Sequence, residues 1–229
     1  MKNAVITGVS KGIGKALAVE LLKEGYRVIG LGRNQGSLEH PNFNFFRADV
    51  RKHQEVESAF QSILKTYETI DVLVNNAGLG YFGFLEDMTY EQWNAMYETN
   101  VNGIFYCLKS VIPGMKKAQS GHIFNIASTA GVEGYPQVAA YCGTKFAVKG
   151  ISQALYKELR DFGVKVTCVY PGSVKTDFFN DTHITAHDYM LMPEDVAKMM
   201  VHTLQTPKNF HTVNLEIRPL QPKGPKNSA

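Results

Sequence analysis

The sequence predicts an α/β protein built on a doubly wound, mostly parallel seven-stranded sheet with helices on both faces. Two observations carry this. Short apolar runs rich in β-formers alternate with amphipathic helical stretches along the chain, and such alternation implies right-handed crossovers and a sheet covered on both sides. The first run leads directly into a glycine-rich turn and a helix. In open α/β sheets ligands bind there, beyond the carboxyl ends of the strands.

The elements follow in order. Ala4-Val5-Ile6 reads as a buried strand, and 12–23 as a helix with Ala16, Leu17, Glu20 and Leu21 at helical spacing. Residues 26–31 and 44–47 are the next two strands. Only about ten residues, 34–43, separate them, so this link is expected to be mostly loop rather than a crossover helix. Residues 51–67 form an amphipathic helix with Val56, Phe60, Leu64 and Tyr67 on one stripe. Strand four is 71–74. Thr89-Tyr90-Glu91-Gln92 is a capping-box sequence opening a long helix to about residue 110. Strand five is 123–126, a helix covers 138–162, and strand six is 164–169. Pro193 opens the last helix, since proline suits a first turn, and 213–217 is strand seven.

The 229 residues suit one large domain, assigned to 1–218, with a Pro- and Lys-rich tail at 219–229 that is expected to be mobile. Apolar residues make up 44% and charged residues 20%, which excludes wholesale disorder. A net charge of +3 does not call for a nucleic-acid partner. No apolar run reaches the length of a membrane span, and the N-terminus is too short before its first glycine to read as a signal peptide. Cys107, Cys142 and Cys168 are odd in number and widely spaced, which fits neither a disulfide framework nor a zinc site. A reducing, cytoplasmic setting is expected.

After the first strand comes Thr7-Gly8-Val9-Ser10-Lys11-Gly12-Ile13-Gly14. Glycines let the backbone turn sharply and approach a pyrophosphate, and the following helix presents free N–H groups and the positive end of its dipole. The spacing is G-x-x-x-G-x-G. Together with Asn75-Asn76-Ala77-Gly78, Ser128, Tyr141-Cys142-Gly143-Thr144-Lys145 and Pro171-Gly172-Ser173-Val174-Lys175-Thr176, it resembles the short-chain dehydrogenase/reductase family, from residue 4 to about 218. The resemblance implies a Rossmann-type fold and hydride transfer between a nicotinamide dinucleotide and a carbonyl or secondary alcohol. Gly8, Ser10, Lys11, Gly12, Ile13 and Gly14 would then form the phosphate turn.

The choice of dinucleotide turns on the end of strand two, where an acidic residue usually binds the adenosine ribose of NAD. Here Arg33 lies 19 residues after Gly14 and no acid occupies that end. A guanidinium pairs bidentately with a 2′-phosphate that a carboxylate would repel. With Lys11 it resembles the family's NADP-preferring arrangement, so NADP(H) is the expected coenzyme. By resemblance Asp49 and Val50 bind adenine, although Asp49 could equally cap the next helix. Asn75, with Asn76, Ala77 and Gly78, would line the cofactor and steady the central sheet, or form a plain strand-end turn. Pro171 and Gly172 would cover the nicotinamide, with Val174 and Thr176 near its carboxamide.

Tyr141 and Lys145 are four residues apart on a helix and share a face. A free tyrosine has a pKa of about 10, and a nearby ammonium stabilises the phenolate. Tyr141 is thus expected to be acidified by Lys145 and to exchange a proton with the substrate oxygen. Ser128, at the end of strand five, would orient that oxygen. By resemblance Asn100 completes the set, bends its helix and holds a water that passes protons to Lys145. Lys145 would also bind the nicotinamide ribose.

Residues 177–192 are expected to form a substrate lid. Phe178, Phe179, Tyr189, Met190 and Met192 make it apolar, as do Leu79, Tyr81 and Phe82 after strand four. The substrate is expected to be a small molecule with an apolar portion, with 3-oxoacyl or 3-hydroxy-acid compounds among the candidates. His183 and His187, four apart, could chelate a metal, but the proposed chemistry needs none, and no metal is expected. Two long helices carry many apolar residues (Trp93, Met96, Phe105 and Leu108; Phe146, Ile151, Leu155 and Leu159); some must face the sheet, and apolar surface left over favours a homodimer or homotetramer. The alternative is a non-catalytic, dinucleotide-sensing regulator.

Overall fold

The computed structural model describes residues 1–179 and 187–222. Its elements run β1 (Asn3–Thr7), α1 (Gly12–Lys23), β2 (Arg27–Gly32), β3 (Phe43–Arg47), α2 (His53–Tyr67), β4 (Val72–Asn75), α3 (Tyr90–Tyr97), α4 (Gly103–Ala118), β5 (Gly121–Ile126), α5 (Ala139–Leu159), β6 (Val164–Pro171), α6 (Pro193–Leu204) and β7 (Asn214–Ile217). The strands form one sheet in the order β3-β2-β1-β4-β5-β6-β7. Every neighbouring pair is parallel.

β1 and β4 are buried along their whole length, as expected of strands covered on both faces, and their sequences are correspondingly continuous in apolar residues. Successive side chains still divide between the faces. Ile6, Val74 and Phe124 pack with Leu17 and Leu21 of α1 and Val196 and Met200 of α6. Val5, Leu73 and Ile123 pack on the other face with Phe60 of α2, Leu108 of α4 and Val148 of α5.

The link between β2 and β3 contains no helix, as its length requires. The stripe on α2 differs from the sequence reading. Val56, Ala59, Phe60 and Ile63 are the buried residues, while Leu64 and Tyr67 are only partly covered. Tyr67 instead lies beneath the Arg27 guanidinium, 5.0 Å from its ring centroid. The long helix after Thr89 is also not one α-helix. Thr89 makes the expected capping box with Gln92, but residues Glu98–Asn102 form a π-helical turn that separates α3 from α4. α4 then runs past Pro113, which sits on its exposed side. Water can satisfy the carbonyl that the proline leaves unpaired.

Candidate active site

β1 points to one side of the sheet through its next neighbour β2, and β4 to the other through β5. A crevice therefore opens at the carboxyl ends of β1 and β4. It is a cleft of about 820 Å³, within the range of cofactor and substrate pockets.

The glycine turn forms one wall. Gly8 and Gly12 have φ of +71° and +60°, a region that side chains rarely adopt. Thr7 and Asn76 stitch the turn to the end of β4. The Thr7 hydroxyl accepts from the amides of Asn76 and Ala77, both at 2.9 Å, and the Asn76 side-chain amide donates to the carbonyls of Thr7 (2.8 Å) and Gly8 (2.9 Å). A Cβ on Gly14 would lie 2.3 Å from the Gly8 carbonyl oxygen and 2.4 Å from Asn76 Nδ2. Gly14 is thus a packing residue: it does not line the cleft, whereas Gly8, Ser10, Lys11, Gly12 and Ile13 do. Lys11, at the N-cap of α1, makes no side-chain cap. The helix's first N–H groups remain available to an anion, with the dipole behind them.

Arg33, Asp49 and Val50 line the far end of the cleft. Among the described residues Arg33 forms no ion pair, whereas Lys11 lies 3.5 Å from Asp177 and Arg51 pairs with Asp49. Asp49 is therefore not the open adenine acceptor that the sequence suggested. It also does not merely cap a helix: α2 is capped at Lys52 without any side-chain bond. Its carboxylate accepts from Arg51 Nε (3.0 Å to each oxygen), Arg51 Nη2 (2.5 Å) and the Arg51 amide (3.1 Å). These bonds hold it below the usual carboxylate pKa.

The opposite end gathers Ser128, Tyr141 and Lys145, which all line the cleft with Ala77 and Gly78. Ser128 follows β5 and accepts from the Ala130 amide at 3.1 Å. Lys145 Nζ donates to the Ile126 carbonyl at 2.7 Å and lies 5.5 Å from the Tyr141 ring centroid. Burial lowers the Lys145 pKa to about 8. The expected acidification of Tyr141 by Lys145 does not appear in the chain alone. Burial raises the phenol well above its ordinary value, and only interaction with the Ser128 hydroxyl opposes this. Desolvation penalises the phenolate, while the ammonium makes its hydrogen bond to a backbone carbonyl instead.

Asn100 is fully buried and does not line the cleft. Its amide oxygen accepts from the Leu79 amide (2.9 Å), and its nitrogen donates to the Leu79 carbonyl (2.8 Å) and the Thr144 hydroxyl (3.0 Å). The side chain is thereby committed to protein partners, so the expected water ligand is not this amide. It clamps the loop after β4 to the turn of α5 that carries Tyr141 and Lys145. The π-helical turn contains Asn100, where the family resemblance implied a bend. Asn75 is likewise structural, donating to the Asn125 side chain at 2.8 Å.

Pro171, Gly172, Val174 and Thr176 line the cleft. Of the lid residues, Phe178 and Phe179 line it, while Tyr189, Met190 and Met192 do not; Met190 is buried elsewhere. Residues 180–186, including His183, lie outside the described residues. Val174 bridges Leu191 across the two stems of this segment, and Lys175 pairs with Asp188 at 2.6 Å. Leu79 and Phe82 line the cleft but Tyr81 does not. Phe82, Tyr141 and Phe178 form a triangle of rings with centroids 5.5, 5.6 and 6.2 Å apart. Cys142 is buried beside the Glu133 carbonyl.

Several lining residues carried no sequence signal. Arg51, Thr99, Tyr135 and Arg218 come from separate elements, and Pro219 and Pro222 place the start of the supposed tail against the cleft. Thr99 lies in the same π-helical turn as Asn100, and its hydroxyl has no hydrogen-bond partner among the described residues.

A parallel sheet of this order, with its crevice at the switch point, defines the Rossmann-like class. The sequence profile of the short chain dehydrogenases matches residues 2–186. The chain belongs to that family and is an oxidoreductase of its type. It is 34% identical over 226 residues to an uncharacterized oxidoreductase of Staphylococcus aureus strain MRSA252, covering 96% of this chain and 97% of that protein. Among solved structures it resembles the closed form of serine dehydrogenase complexed with NADP⁺ (TM-score 0.87, 30% identity, 96% and 95% of the two chains). It also resembles an alcohol dehydrogenase of the archaeon Thermococcus sibiricus complexed with 5-hydroxy-NADP (0.88, 28%, 99% of each). A third is the 3-ketoacyl-(acyl-carrier-protein) reductase of Brucella melitensis complexed with NADH (0.87, 26%, 96% and 98%). No helix among the described residues is long and apolar enough to cross a membrane, and they contain no cluster of metal-ligating side chains.

Proposed function

We propose that the protein is an NADP(H)-dependent carbonyl reductase or secondary-alcohol dehydrogenase. The observation that carries the reading is one cleft with Ser128, Tyr141 and Lys145 at one end and, at the other, Arg33, which has no ion pair among the described residues. The cavity, the glycine cradle, the open first turn of α1 and the unpartnered Thr99 hydroxyl fit a dinucleotide. The coenzyme supplies or accepts the hydride.

The chain's own residues bind, orient and handle the proton. The turn of Gly8, Ser10, Lys11, Gly12 and Ile13 holds the pyrophosphate at the N-terminus of α1, and Arg33 pairs with the 2′-phosphate. Val50, Asn76, Ala77, Gly78 and the 171–176 segment wall the adenine and nicotinamide ends. Ser128 orients the substrate oxygen. The Tyr141 hydroxyl gives its proton to a carbonyl oxygen, or takes one from an alcohol. Lys145, held by the Ile126 carbonyl, brings positive charge to that end of the cleft.

Phe82 and Phe178 stand against Tyr141, so the reacting carbonyl is placed beside apolar surface. This favours a medium-sized substrate with an apolar portion. The serine dehydrogenase and 3-ketoacyl reductase relatives support a 3-hydroxy-acid or 3-oxoacyl compound. Residues 1–218, with Pro219 and Pro222 set against the cleft, act as the binding and catalytic unit and 177–192 as its lid. The three described cysteines are buried and free, which supports a reducing, cytoplasmic setting.

The test is NADPH oxidation over a panel of carbonyls. Wild type is expected to turn over apolar 3-oxo compounds, with Tyr141→Phe losing at least about 10²-fold while still binding NADPH. Full turnover by Tyr141→Phe overturns the mechanism. Arg33→Asp is expected to reverse the preference between NADPH and NADH, and an unchanged ratio removes Arg33 from coenzyme selection.

A further inference from the structure

The adenosine end of the cleft contains a feature that Arg33 alone does not explain. β2 and β3 are paired with Gly32 opposite Arg47, and the Ala48 amide donates to the Gly32 carbonyl at 2.9 Å. Arg33 follows Gly32 directly and Asp49 lies two residues past Arg47, so both leave the sheet at the same end, and both line the cleft. A carboxylate in that place opposes binding of a 2′-phosphate in two ways. It repels the phosphate, and it competes with it for the Arg33 guanidinium.

Neither Asp49 oxygen is open. The Asp49 side chain is 12% exposed, and both oxygens are taken by Arg51 through its Nε and Nη2, with its amide on one of them. On the other flank the Asp49 amide donates to Glu55, which itself pairs with Lys52. Arg51 is two residues from Asp49, so the fork closes locally before α2 begins. Arg33 is left without an ion-pair partner among the described residues, although its charge reaches Asp49.

We infer that Arg51 is a second coenzyme-specificity residue: by occupying the Asp49 carboxylate it keeps Arg33 free for the 2′-phosphate of NADP(H). The inference rests on the proposed NADP(H) reading and adds a residue to it. The selectivity then belongs to three residues, Arg33, Asp49 and Arg51, and Arg51 acts through Asp49. An arginine suits this place because its planar fork meets the carboxylate with two nitrogens in a fixed geometry.

The test measures direct binding of 2′,5′-ADP and of NADPH and NADH by calorimetry or coenzyme fluorescence, without turnover. Arg51→Ala is expected to weaken 2′,5′-ADP and NADPH on the order of tenfold more than NADH, the effect of one uncompensated charge nearby. Arg51→Lys recovers only part of this, because a compact ammonium on a flexible stem lacks the fixed two-nitrogen geometry of the guanidinium. Asp49→Asn in the Arg51→Ala background removes the exposed carboxylate and is expected to restore the ratio. A purely structural Arg51 would weaken both coenzymes alike and would not be rescued.

An unchanged NADPH-to-NADH ratio in Arg51→Ala, or no rescue by Asp49→Asn, overturns this inference while leaving the NADP(H) reading standing. Wild type that binds NADH but neither NADPH nor 2′,5′-ADP overturns the NADP(H) reading, and this inference with it. Loss of fold in Arg51→Ala is recognised by circular dichroism. The comparison then rests on Arg51→Lys against Asp49→Asn alone, where a lower NADPH-to-NADH ratio in the lysine variant supports the inference and an equal one overturns it.

Discussion

His122 shows how a residue outside the site is governed by burial. It sits on β5, stacked on Phe124 at 4.1 Å, with its Nε2 2.8 Å from the Thr167 hydroxyl. That hydroxyl donates its only proton to the Thr212 carbonyl at 2.6 Å, so the ring must donate through Nε2 and is neutral at Nδ1. Burial, followed by the charges of His211 and Lys165, lowers its pKa to about 3. The unfolded chain takes up a proton near pH 6.5, while the folded ring does not until about pH 3. The unfolded state therefore binds more protons throughout that window, and stability falls as pH drops from 6.5 towards 3, at up to about 1.4 kcal/mol per pH unit. Denaturant titrations at pH 7 and pH 5 are expected to show this slope reduced in His122→Leu; equal slopes would contradict it. Tyr141 makes the same point within the site. Its spacing from Lys145 was legible in the chain, but its electrostatic state was not, because burial sets it, while a carbonyl at Ile126 takes the ammonium's hydrogen bond.

At the scale of elements, the glycine turn and the π-helical turn fix the site by opposite means. The turn works by absence of side chains. In Gly14→Ala the new methyl would meet the Gly8 carbonyl and the Asn76 amide at well under contact distance. Such overpacking costs about 1–3 kcal/mol, set against at most ~1 kcal/mol of gained helix propensity. Gly14→Ala is expected to lower Tm by several degrees and weaken coenzyme binding; wild-type values in a thermal melt would show that the backbone yields freely. The π-helical turn works through the three bonds of one buried amide. The capping box, the α1 span and the alternation of strands and helices were readable from periodicity and cap chemistry. The resemblance implied a bend at Asn100, but its π-helical form and its partners were not readable locally, because Asn100 meets Leu79 and Thr144, residues 21 and 44 positions away.

For the whole molecule, the sheet joins two apolar layers, and large apolar groups remain outside both. Phe105 on α4 is 55% exposed and Phe146 on α5 is 43% exposed. Trp93 and Tyr97 stack on the outside of α3 at 4.7 Å. Exposed aromatic surface on adjacent helices favours a symmetric partner. Light scattering is expected to give a dimer or tetramer, with Phe105→Glu combined with Phe146→Glu shifting it to lower mass; a monomeric wild type would refute the assembly.

The chain alone determined the parallel sheet, the glycine turn and the pairing of Tyr141 with Lys145 on one helix face, because these depend on periodicity, on backbone freedom and on spacing within one helix. Only the tertiary structure decided that Asp49 is saturated by Arg51, that Asn100 is a clamp, and that residues near the C-terminus complete the cleft. Those outcomes depend on which groups meet across the fold and on how much water is removed from them. Neither is written in any local stretch of sequence.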